Sequence, residues 1–186
     1  MSILKMTAAP DVGGDTMWTD LVAAFKALSK PMQDLCSSIT ALHDASPHMH
    51  PEKMMIHPVV RKHPDTGEAV LYVNEHFTRR VVELSHEESE QLLSFLTKWV
   101  QKPDFSVRYK WSKNTIAIWD NRSTQHFVVN NFEGERIIQR VTVTGDIVEP
   151  FGELNHDAWG NNNKFSAKSR NDLQLIGYLD SQKENH

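Results

Sequence analysis

The sequence has a single cysteine, Cys36, in 186 residues. That excludes an intrachain disulfide and a cysteine zinc cluster, and it points to a reducing, cytoplasmic location. The N-terminus has no long apolar run, so neither a signal peptide nor a membrane span is expected. There is no excess of positive charge: 20 Lys and Arg stand against 24 Asp and Glu, a formal net charge of −4. A nucleic-acid surface is therefore not expected. With 39% hydrophobic and 24% charged residues, a largely disordered tail protein is excluded as well. The length suits one domain, or one and a fraction. What the sequence does have is ten histidines. His43, His48, His50, His57 and His63 crowd one region. Histidine is the commonest metal ligand and a common general base, but most of the ten are expected to be surface or structural.

Along the chain, Ser2 to Ala9 reads as a strand, broken by Pro10 and Gly13-Gly14. Thr19 or Asp20 caps a helix whose Leu21, Ala24, Phe25 and Leu28 share a face. Pro31 opens a second helix, with Met32, Leu35, Ile39 and Leu42 as its stripe and Cys36 as core filler. Residues 43–58 have no period and read as a loop or lid. A hairpin follows around Pro64-Asp65-Thr66-Gly67, with Ala69 to Val73 as its second strand. Ser85 and Glu88 form a capping box for a helix burying Leu92, Phe95, Leu96 and Trp99. Strands return at Phe105 to Tyr109, Thr115 to Trp119, Phe127 to Val129 and Ile137 to Val143, reading as antiparallel sheet in a sandwich or barrel. Beyond Pro150 a polar, loosely ordered tail is expected, with a short helix near Leu173 to Leu179.

Three constellations carry chemistry. In Trp119-Asp120-Asn121-Arg122-Ser123-Thr124-Gln125-His126, the first polar residues pair as an ordinary turn. That pairing leaves His126 unexplained, either a ligand or base or a structural histidine. Arg136 and Arg140 fall on one side of a strand. They form either an anion pocket, since arginine takes carboxylate or sulfonate bidentately, or a solvated face with Glu133 and Glu135. Gly13-Gly14-Asp15-Thr16-Met17-Trp18 is too short for a phosphate loop and lacks its lysine, but it presents Thr16 on a fixed element.

These pieces resemble the TauD/TfdA family of iron(II)- and 2-oxoglutarate-dependent dioxygenases. The matching stretches, in the family's order, are Gly13 to Trp18, His57-Pro58-Val59-Val60-Arg61, Leu71-Tyr72-Val73-Asn74-Glu75, Trp119 to Arg122, Thr124-Gln125-His126 and Arg136 to Arg140. The resemblance covers roughly residues 2–150 and implies a mainly β fold with flanking helices: a double-stranded β-helix, jelly-roll and cupin-like, incomplete at the N-terminus. Residues 1–150 would be a partial dioxygenase domain and 151–186 the tail. His126 would be the distal histidine of a 2-His-1-carboxylate iron site. Thr16 would bond a 2-oxoglutarate carboxylate, Arg136 would clamp its far end, and Arg140 would face the co-substrate or an acidic substrate group. Iron(II) and 2-oxoglutarate are the implied cofactor and co-substrate, with ascorbate in support. Dioxygen and a small anion such as taurine are the implied reactants, and a homo-oligomer is the expected association.

The family's first histidine and its carboxylate come as His-x-Asp, a couple of dozen residues before Gly-Gly-Asp-Thr. Here twelve residues precede Gly13, and none is histidine. The chain is thus expected to lack two of three metal ligands. His63-Pro64-Asp65, His50-Pro51-Glu52 and His86-Glu87-Glu88 are the local substitutes. Two functions follow: a dioxygenase hydroxylating a small sulfonate, or a catalytically incompetent remnant that binds a partner.

Overall fold

The computed structural model describes residues 1–154. Of the tail expected at 151–186, residues 155–186, with the helix expected at 173–179, His156 and His186, lie outside the described residues. Its first residue, Phe151, donates its N–H to Val60 O at 3.0 Å and sets its ring against Phe25.

The chain opens on β1 (Ser2–Ala8) and β2 (Thr16–Asp20), separated by the Gly13-Gly14 turn. Asp20 is the cap of α1 (Leu21–Lys26), its carboxylate accepting from Val22 N and Ala23 N. The second helix, α2 (Lys30–Ser37), carries Pro31 in its first turn and buries Cys36. It stops before Ile39. Leu42, expected on its stripe, belongs instead to β3 (Thr40–Ala45). Residues 43–58 are not a loop: after one 3-10 turn at Ser46–His48 they form β4 (His50–Pro58), paired antiparallel with β3. Histidine, methionine and proline give this segment no β-pattern, and its backbone is extended because β3 offers a partner.

The hairpin is β5 (Val60–Lys62) and β6 (Ala69–Leu71). Next, β7 (Thr78–Val81) pairs with the other edge of β3. The capping box of Ser85 and Glu88 starts α3 (His86–Val100), which buries Leu92, Leu93, Leu96 and Val100 but leaves Phe95 on its exposed side. The last strands are β8 (Ser106–Tyr109), β9 (Ile116–Trp119), β10 (Thr124–Val128) and β11 (Ile137–Thr142).

Among the described residues the strands form four antiparallel sheets, in the orders β11-β1-β9, β10-β2-β8, β4-β3-β7 and β5-β6. The helices cover β5-β6 and β7 around one core that includes Phe25, Val59, Val70, Leu71 and Leu96. A second, smaller core lies between the first two sheets, where Leu4 and Met6 meet Trp18, Trp111 and Trp119. This corrects the expected jelly-roll: among the described residues no sheet closes into a barrel. Closure needs two hydrogen-bonded neighbours for every strand. Here β8, β9, β10 and β11 each have one. The fold is mixed β and α, with open sheets.

Candidate active site

Thr16 and His126 reach the same sheet face by register. Thr16 pairs with Val128 and Trp18 with His126, so all four side chains point one way. On β1 and β11, Leu4 pairs with Arg140 and Met6 with Ile138, and Leu4 and Met6 belong to the same tryptophan-lined core. Thr16 is buried, and its Oγ1 accepts from Trp111 Nε1 at 2.8 Å and from Arg136 Nη2 at 3.4 Å. Arg136 also donates from Nε to Gly14 O at 3.0 Å, and burial holds its guanidinium below the ordinary arginine range. The two glycines make this closure possible. Gly13 has φ +77°, and a Cβ there would lie 2.3 Å from Asn131 O. Gly14 has φ +69°, and a Cβ there would press on Arg136 Cδ at 3.2 Å.

His126 is half-buried with its ring 4.9 Å from that of Trp119. Burial first, and then the charge of Arg140, push its pKa down, so it is a neutral imidazole, the ligating form. Arg140 is exposed and donates to Thr142 Oγ1 at 3.2 Å. His126 and Arg140 together line a cavity of about 460 Å³, while Thr16 and Arg136 bond each other and are not among its lining residues.

The His-x-Asp of the hairpin turn is brought to the β9–β10 turn across 57 residues. His63 is buried, and its Nε2 lies 3.2 Å from Asp120 Oδ2. Its Nδ1 accepts from Asp65 N at 3.3 Å and Thr66 N at 3.2 Å, which places the ring proton on Nε2. Ligand atoms of His63, Asp65 and Asp120 all lie within 4.8 Å of one another. This overturns the expectation that two of three ligands are missing. One imidazole and two carboxylates converge, and nitrogen with carboxylate oxygen is a donor set that suits iron(II). It also removes the ground for reading the chain as a remnant without catalysis. In this arrangement Arg122 supplies the positive charge: its Nη2 is 2.6 Å from Asp65 Oδ2 and 2.6 Å from Asp120 Oδ2. Bonds from Arg122 hold the Asp120 carboxyl well below the usual carboxylate range. A divalent cation would be held there by His63, Asp65 and Asp120, and its charge would stand where the Arg122 guanidinium now balances the two carboxylates. His126 is not a member of this group.

The sequence shows His63-Pro64-Asp65 as a motif, but only the fold supplies Asp120, which reads locally as a turn residue bonded to Arg122. Of the other substitutes, His50 opens β4, and the side chains of Pro51 and Glu52 lie outside the described residues. Glu88 is committed to Ser85 in the capping box.

The comparisons with known proteins agree with this architecture. A Saccharomyces cerevisiae protein named alpha-ketoglutarate-dependent sulfonate dioxygenase is 38% identical over 144 residues, covering 71% of this chain and 35% of its own. A Pseudomonas putida protein named alpha-ketoglutarate-dependent sulfate ester dioxygenase is 34% identical over 167 residues, covering 78% and 55%. The crystal structure of a taurine dioxygenase from Burkholderia xenovorans superposes with a TM-score of 0.76 at 37% identity, covering 82% of this chain and 55% of that one. The chain thus spans between a third and just over half of the length of these relatives. The model of the family described as taurine catabolism dioxygenase TauD, TfdA family, matches residues 1–142. The chain belongs to the TauD/TfdA family.

Proposed function

We propose that the chain serves an iron(II)- and 2-oxoglutarate-dependent dioxygenase acting on a small anionic substrate of the sulfonate or sulfate-ester type. The observation that carries this reading is the convergence of His63, Asp65 and Asp120 in a chain of this family. The sulfonate and sulfate-ester names of its relatives support the substrate class. Bound iron would supply dioxygen activation, with 2-oxoglutarate giving up carbon dioxide to become succinate as one oxygen atom enters a substrate C–H bond. His63, Asp65 and Asp120 are available to hold the metal, and the reading also assigns His126 to the metal centre as a neutral imidazole. Thr16 and Arg136 are assigned to the 2-oxoglutarate carboxylates. Arg140, beside His126 in one cavity, is assigned to the anionic group of co-substrate or substrate. Ascorbate as supporting reductant, a homo-oligomeric state and a cytoplasmic location complete the proposal. Among the described residues no helix is long and apolar enough to cross a membrane.

The test is succinate release from iron(II), ascorbate, 2-oxoglutarate and taurine or an alkyl sulfate. Succinate is expected in proportion to protein, above the free-iron background; background-level release for every substrate overturns the reading. Metal titration of His63→Ala and His126→Ala shows which imidazole binds the ion, by which variant loses it.

A further inference from the structure

Thr16 is buried on β2, and its hydroxyl oxygen accepts twice: from Trp111 Nε1 at 2.8 Å and from Arg136 Nη2 at 3.4 Å. A hydroxyl has two acceptor sites and one proton to give. With both acceptor sites taken, Thr16 can only donate, and among the described residues its proton meets no acceptor. We propose that Trp111 is a positioning residue of the co-substrate pocket: its indole N–H locks Thr16 as a donor and so commits the pocket to an ionised carboxylate, a group that only accepts. The inference rests on the dioxygenase reading and adds to it the residue that sets the polarity of Thr16.

The indole is held firmly in place. Trp111 is buried, with its ring centroid 5.3 Å from that of Tyr109, edge-on, and 5.9 Å from that of Trp18. Tyr109 pairs with Thr16 across β2 and β8, so the chain that follows β8 brings the indole to the Thr16 hydroxyl. The bond is particular to this tryptophan. Trp18 and Trp119 pack in the same small core, and their buried Nε1 atoms have no hydrogen-bond partner there. Packing in this core therefore fixes an indole without giving its N–H an acceptor, whereas Trp111 has Thr16. Arg136 completes the arrangement. It spends Nε on Gly14 O and Nη2 on Thr16, and its Nη1 group makes no hydrogen bond among the described residues. The pair offers an anion one hydroxyl proton and one charged N–H group, the donors that a carboxylate takes most strongly.

Calorimetric titration of the full chain with 2-oxoglutarate, as wild type, Trp111→Phe and Trp111→His, tests the proposal. Phenylalanine keeps the aromatic bulk and loses the N–H. Histidine is smaller, but its Nε2 stands in the ring where the indole Nε1 stands. It keeps a donor there at about pH 8, where an imidazole of pKa ~6.5 is neutral. Trp111→Phe is expected to weaken binding roughly three- to tenfold. Trp111→His is expected to bind more tightly than the phenylalanine variant while melting at a lower temperature. A role in packing alone gives the opposite order of affinities; that order, or wild-type affinity in Trp111→Phe, overturns the proposal. A second measurement leaves Trp111 in place, should its variants not fold. Thr16→Val removes the acceptor and so identifies the Trp111 indole N–H resonance by its displacement. Adding 2-oxoglutarate to the wild-type chain is expected to shift that resonance, and an unmoved resonance overturns the role. If the wild type binds 2-oxoglutarate and these expectations fail, only the role of Trp111 falls. If the wild type binds none, the dioxygenase reading falls and takes this one with it.

Discussion

At the residue scale, buried charge and buried imidazole set the measurable behaviour. Arg136 donates directly to Thr16 Oγ1 and separately to Gly14 O, and a dianionic co-substrate placed there would meet a partly desolvated guanidinium. Arg136→Ala is therefore expected to weaken 2-oxoglutarate binding by about 2–5 kcal/mol, and unchanged binding in calorimetry would refute the role. His43 differs in kind. It titrates at about 3 in the fold, against ~6.5 in the unfolded chain. The unfolded chain takes the proton first, so the stability held above ~6.5 is lost as pH falls toward 3. His57 and His126 are depressed too and act in the same direction. Buried Glu83 opposes them: desolvation raises its pKa although Thr40 N and Oγ1 both donate to it, so it contributes stability on the acid side of its folded pKa. Thermal melts are expected to show Tm falling from about pH 7 to about pH 4, with a shallower fall in His43→Gln. A wild-type Tm that stays level over that range counts against the argument. The ten histidines are plain in the sequence, but the burial that separates His43 from an exposed histidine depends on the strands on either side of it.

At the scale of elements, local signals suffice where the chain satisfies its own hydrogen bonds. The Ser85–Glu88 box and the period of Leu92, Leu96 and Trp99 define α3 without help from the rest of the molecule, and Asp20 caps α1 through its own next residues. Residues 50–58 were unreadable because their backbone is satisfied by β3, and the side chains carry no alternation that announces it. The Gly13-Gly14 turn is local in sequence but tertiary in its reason. Its glycines are needed because Asn131 and Arg136 approach from more than a hundred residues away. Gly13→Ala combines a left-handed φ with a 2.3 Å clash against a backbone oxygen. A loss of at least about 1–3 kcal/mol is expected in denaturant unfolding, together with weaker 2-oxoglutarate binding. Stability equal to wild type would show that the turn relaxes freely.

At the scale of the whole molecule, the open sheets of the described residues leave apolar side chains exposed. In β11-β1-β9, Ile3 stands between Ile118 and Val141, and these two are 62% and 63% exposed. Edge strands with unpaired backbone and an apolar face invite further pairing. Concentration-dependent association is therefore expected in sedimentation, reduced by Ile118→Lys; a monomer at all concentrations contradicts it. By itself the sequence determined the family, α1 and α3 with their caps, and the strand-rich second half, because these depend on neighbours within a turn or on motifs contiguous in the chain. The tertiary structure alone decided that the sheets of the described residues stay open, that 50–58 is a strand, and that Asp120 joins His63 and Asp65. Each of these depends on groups far apart in the chain, and no local pattern encodes which distant partner a backbone N–H or a carboxylate will meet.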